Sequence, residues 1–116
     1  MNNLEKRRRR YLSDSIPVRL GGLAANLARV ASFSKNDEHQ MVVNTTLQES
    51  KWFIEWTAGE LNTEDIAELV QLQIQMAKWE IQSHKQWNDQ NWRTELANQS
   101  TDWSKRLLEM SGLLNP

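Results

Sequence analysis

Residues 15–35, SIPVRLGGLAANLARVASFSK, decide how the rest of the chain is read. Leu20, Leu23, Ala24, Leu27, Val30 and Ala31 recur at the three- and four-residue spacing that places side chains on one side of a helix. Asp14 or Ser15 supplies a capping side chain, and Pro17 sits where its missing N–H costs nothing, so the periodicity predicts a helix to about Ser34. Two glycines inside a helix cost roughly 1 kcal/mol each relative to alanine. Close packing of another backbone against Gly21, Gly22, Ala25 and Ala28 is the expected compensation. Small residues four apart also join helices within bilayers, but Arg19, Arg29 and the short length rule out a span here and point to a helical core.

Upstream lies Lys6-Arg7-Arg8-Arg9-Arg10, five consecutive cations without an apolar period. Such a block repels itself, so residues 1–13 are expected to be a flexible basic arm. Downstream, residues 14–116 are expected to form a single helical-bundle domain. Asn36 or Asp37 opens a second helix whose face is traced by Val43, Leu47, Ser50, Ile54 and Thr57, with Gly59 as its stop. Within it, Lys51 and Glu55 are spaced to pair, and Trp52 and Trp56 to meet. Asn62 or Thr63 caps a third helix, with Ile66, Val70, Ile74, Ala77 and Ile81 as its main stripe and Leu69, Leu72, Met76 and Trp79 beside it. Asn88-Asp89-Gln90-Asn91 offers a break, which is favoured over one continuous helix. Periodicity then resumes through Trp92, Leu96, Trp103, Leu107 and Met110 to a stop at Gly112. The fold class is therefore all-α, a small bundle of three to four helices with a basic N-terminal arm.

Leu, Ile, Val and Phe number only 26 of 116 residues, so the six Trp residues must complete the core or mark a surface that another chain covers. Trp92 and Trp103 fall on the expected core stripe. Trp87 is flanked by Lys85, Gln86, Asn88 and Asp89 and has less reason to be buried, so Trp87, together with Trp79, is the candidate protein interface.

The net charge of −1 hides two ends of opposite sign. Residues 1–35 carry eight basic and two acidic side chains; residues 36–116 carry six basic and thirteen acidic. Lys6, Arg7, Arg8, Arg9 and Arg10 are thus the candidate anion-binding residues, for nucleic acid or an anionic surface. No helix rich in base-reading side chains adjoins them, and the acidic remainder would repel a polyanion, so nucleic acid is not favoured.

Catalysis is not expected. The chain has no Cys, which removes thiolate chemistry and disulfides. His39 and His84 are the only imidazoles, no Glu-x-x-His unit is present, and the nucleophile-elbow, P-loop and dinucleotide motifs are absent. No catalytic residue, cofactor or metal site is assigned. No export signal or transmembrane stretch is read, which gives cytoplasmic as the expected location.

Three segments, RLGGLAANLARVASFS at 19–34, ESKWFIEWTAGE at 49–60 and LLEMSGLL at 107–114, resemble parts of small uncharacterised helical proteins of cyanobacteria. The resemblance implies an all-helical fold. That group carries no established catalytic or ligand motif, so no functional residue follows from it. The expected function is a non-catalytic protein-interaction module, adaptor or assembly, with an unidentified protein partner and possible homo-oligomers. An accessory protein that binds nucleic acid or an anionic surface through the basic arm is the alternative, and a small-molecule-binding bundle the third reading.

Overall fold

The computed structural model describes residues 2–114, and among them every regular element is helical. Helices α1 (Asn3–Leu12), α2 (Ile16–Phe33), α3 (Gln40–Ala58), α4 (Thr63–Gln86) and α5 (Gln90–Ser111) follow one another, with a 3₁₀ turn at Asp37–His39 leading into α3. The body measures 38 × 36 × 22 Å. Its thin dimension is about two helix diameters, so it is a slab of two helical layers.

The expected helix over 15–34 is α2, and it is central: its most extensive contact is with α5, its next with α3. The face predicted for it, Leu20, Leu23, Ala24, Leu27, Val30 and Ala31, is buried. The close-packing residues are a correction. Ala25 and Ala28 are exposed and Gly22 is only partly covered, with open space where a Cβ would stand. Only Gly21 meets a neighbour, the tip of Leu113, 2.8 Å from an ideal Cβ. Tight approach comes instead from the other partner. Ala97, Ser100, Ser104 and Ser111 line the buried side of α5 at helical spacing, and Ser104 Oγ donates to the Ala24 carbonyl at 2.8 Å. Serines read as polar in a sequence, which is why the stripe expected on α5 rests on its larger residues. Leu96 and Leu107 are indeed buried, whereas Trp92, Trp103 and Met110 only flank the core.

In α3 the expected face Val43, Leu47, Ser50, Ile54 and Thr57 is the buried one, and Trp52 stacks on Trp56 with ring centroids 6.3 Å apart. Lys51 departs from expectation, pairing with Glu80 of α4 at 2.8 Å rather than with Glu55. Asn62 caps α4, accepting from the Asp65 N–H at 2.8 Å. The break before α5 is present, with Asp89 as N-cap accepting from Asn91 and Trp92.

The basic segment is a second correction: it is helix α1, not a flexible arm. Arginine and lysine are good helix formers, Asn2 accepts from the Glu5 N–H at 2.7 Å, and Arg9 and Arg10 lie at the negative end of the dipole. Tertiary contacts then hold the helix. Arg7 and Tyr11, one turn apart, both reach α3: Arg7 pairs with Glu49 at 3.4 Å and lies over the Trp52 ring, while Tyr11 stacks on Phe53 with centroids 4.1 Å apart.

Tyr11 is buried, and its hydroxyl donates to the Arg19 carbonyl at 3.3 Å and accepts from Thr57 Oγ1 at 2.9 Å. Burial pushes the phenol from 10.0 up to about 12, outweighing the Thr57 hydrogen bond and the Arg19 charge, which act the other way. Because the folded value is raised, the contribution of Tyr11 to stability is complete below pH 10 and is lost as the pH rises through 12. Denaturant unfolding should therefore show a fall of roughly 2–3 kcal/mol over that window that Tyr11→Phe lacks. As Tyr11 is the chain's single tyrosine, phenolate absorbance titrates it directly. A midpoint near 10 would contradict the docked α1.

Two buried arginines complete the frame. Arg19 donates through Nε to the Asp14 carbonyl at 2.9 Å, through Nη2 to the Leu12 carbonyl at 3.0 Å and through Nη1 to Glu60 at 2.5 Å. Arg93 donates through Nε to the Ser34 carbonyl at 3.2 Å and through Nη1 to the Trp87 carbonyl at 2.7 Å. Ser34 and Trp87 are the C-caps of α2 and α4, so one guanidinium serves the negative ends of two helices.

Candidate interaction surface

Helix α4 is apolar on two faces. Leu69, Leu72, Met76, Trp79 and Ser83 are buried, while Val70, Ile74 and Ile81 are 43%, 54% and 69% exposed. At 100° per residue the two rows lie about 150° apart around the helix. The stripe expected to be buried through Ile66, Val70, Ile74, Ala77 and Ile81 is thus the outer one, and the row beside it is the core.

The neighbours of α4 explain the choice. On one side α3 holds it through the Lys51–Glu80 pair, the Gln40 amide on the Ser83 carbonyl at 3.0 Å and Gln73 on Glu55 at 3.4 Å. On another, α5 holds it through Trp79 Nε1 on Gln99 at 3.3 Å, Trp92 Nε1 on Gln82 at 3.3 Å and an Arg106–Glu68 ion pair. Both contacts fall on the half of the helix that carries its bulkiest residues, Trp79 and Met76. The outer row is left to solvent. Met41, 81% exposed at the start of α3, lines one shallow depression with His84, which follows Ile81 by one turn of α4. Single exposed apolar residues are ordinary on a protein surface. A collinear row along one helix is a different matter, since it leaves a continuous apolar strip uncovered.

Trp79 and Trp87, the candidate interface residues, lie inside. Trp79 is 2% exposed and Trp87 4%. Trp87 donates through Nε1 to the Asp37 carbonyl at 2.6 Å, meets Trp92 edge to face and lies under Arg93. Its polar sequence neighbours hide it, because Lys85 and Gln86 lie on the exposed end of α4 and Asn88 and Asp89 in the turn to α5, while the ring folds back onto the 3₁₀ turn at Asp37–His39. The expectation that Trp87 has little reason to be buried is corrected accordingly.

Of the candidate anion-binding residues, the structure separates Arg7 from the others. All five are exposed, but Arg7 is held by Glu49 and Trp52, whereas Lys6, Arg8, Arg9 and Arg10 make no ion pair among the described residues. Lys6, Arg9 and Arg10, at i, i+3 and i+4, share one side of α1, while Arg8 stands on another. A cleft of about 490 Å³ lies between α1, α2 and α3, lined by Arg7, Arg10, Tyr11, Asp14, Arg19 and Glu49 among others. Its lining mixes both signs of charge. The two imidazoles are apart: His39 packs on Phe33 with centroids 5.2 Å apart, and His84 is exposed on α4. Among the described residues no three His, Cys, Asp or Glu side chains are grouped to hold a metal ion, and no helix is long and apolar enough to cross a membrane. Comparison with protein-family models, with curated proteins and with solved structures gives no match to this chain.

Proposed function

We propose that the chain is a non-catalytic protein-interaction module whose docking surface is the outer face of α4. The observation that carries this reading is the second apolar row, Val70, Ile74 and Ile81, which the chain's own fold leaves uncovered. An exposed row that contributes nothing to the core has no structural role to account for its apolar character, whereas covering it with another protein removes apolar surface from water. The double substitution Ile74→Glu/Ile81→Glu tests the proposal. Unfolding free energy should stay within about 0.5 kcal/mol of the parent, because both side chains are exposed. In an extract of the native organism, the tagged parent chain should migrate in a larger species than the double variant. Equal migration of the two would remove α4 as the docking face.

A second reading rests on the exposed cations of α1. If the three that share one side, Lys6, Arg9 and Arg10, met phosphates, binding to duplex DNA would weaken with salt at a log–log slope of about −3.

A further inference from the structure

The outer row of α4 has a finer pattern, and resting on the reading of that face as a docking surface, we infer that its occupant is α4 of a second copy, laid antiparallel across a two-fold axis. Ala67, Val70, Ile74, Ala77, Ile81 and His84 follow one another at intervals of three, four, three, four and three residues, the heptad seam of a helix that packs along another helix. Leu72 and Trp79 stand opposite that seam, in the core, so the seam is free to receive a partner without disturbing the fold.

Shape and charge select the partner and its direction. In an antiparallel pair with the axis between Ile74 and Ala77, each Ile74 stands over the small Ala77 of the other copy, and each Val70 meets the other copy's Ile81. A parallel pair would instead set Ala77 on Ala77 and His84 on His84, leaving a gap beside a contact of two imidazoles. The ends of α4 differ in sign as well: Glu64 and Asp65 lie in its first turn, His84 and Lys85 in its last. The antiparallel register brings Glu64 of one copy beside Lys85 of the other, twice by symmetry, and opposes the two helix dipoles. Both side chains are exposed, and among the described residues neither lies within ion-pair distance of another charge. A parallel pair would stack acidic turn on acidic turn. Glu80, the other flanking acid, is already held by Lys51 of its own chain and takes no part.

A seam of about 26 Å is a small interface, so association is measured on the full chain by sedimentation equilibrium up to about 300 µM. The parent should show a monomer–dimer equilibrium, and Ile74→Glu should weaken it by roughly a hundredfold or more. Glu64→Lys alone and Lys85→Glu alone should each weaken it by roughly tenfold, through two like-charge contacts per dimer. Mixing those two variants should recover parent affinity, because in the mixed pair the introduced lysine lies against the introduced glutamate and the second contact is the parent Glu64 with Lys85. Circular dichroism should show each variant folded, as expected for exposed positions.

A parent that stays monomeric throughout overturns the second copy as occupant. So does a dimer indifferent to Ile74→Glu, and a mixture that associates no better than its components overturns the antiparallel register. A monomeric parent whose large species in extract is still lost with Ile74→Glu/Ile81→Glu would separate failure of this inference from failure of the docking face itself.

Discussion

Arg93→Met should lower the free energy of unfolding by about 2–5 kcal/mol, measured as a shift of the urea midpoint at constant slope. The substitution keeps most of the side-chain volume and removes the donors. The Ser34 and Trp87 carbonyls, now held at 3.2 and 2.7 Å, are then left without that partner in a buried junction, and each such loss costs about 1–3 kcal/mol. The guanidinium also lies 5.7 Å from the centre of the Trp87 ring, a contact that goes with it. Arg93→Lys should recover only part of the loss, because a single ammonium cannot span two carbonyls in the way a rigid fork does. A midpoint unchanged in Arg93→Met would mean that the ends of α2 and α4 are secured by something else.

Trp79→Ala should cost a comparable amount, about 3–5 kcal/mol, for a different reason. Trp79 fills the space between α4 and the rest of the core, and its truncation leaves a cavity that a slab two helices thick has few neighbours to close. Trp79→Phe should cost less, losing mainly the hydrogen bond to Gln99 and part of the volume. Thermal unfolding separates the core role from a docking role. An exposed contact residue would leave melting unchanged on truncation, and that result would return Trp79 to the surface.

Where one face alone was apolar, the sequence was a sufficient guide. The buried residues of α3 and the caps at Asn62, Asp89 and Gly112 all follow from spacing and capping chemistry. Helix α4 is ambiguous in the sequence because both of its rows carry the helical period, and spacing cannot say which row faces inward. Side-chain bulk tilts the choice through Trp79 and Met76 alone, since the leucines of the buried row are matched by Ile74 and Ile81 in the outer one. The small-residue patch of α2 was misplaced because glycine and alanine are equally compatible with close packing and with open surface. The docked α1 depends on Arg7 and Tyr11 meeting residues of α3 more than forty positions away, which no local pattern encodes.

The buried arginines were also missed, although a clue exists. Helices α1, α2 and α4 end on Ser13, Ser34 and Trp87 in right-handed conformation, without the glycine that satisfies the last carbonyls of α5. Carbonyls so exposed at buried helix ends require donors from elsewhere in the chain. Arg19 and Arg93 are those donors, and an uncapped C-terminus is a reason to look for them.

The hydrogen bond from Ser104 to Ala24 joins residues 80 positions apart, and it lies in the most extensive helix contact of the molecule. During synthesis, at about 5–20 residues per second, α2 emerges several seconds before the helix that covers it. The α3–α4 hairpin is complete by then, whereas the leucines of α2 await α5. The nascent chain therefore passes through an interval in which its central helix is sheltered on one side only, and closure of the long loop between α2 and α5 is the step expected to set its folding rate.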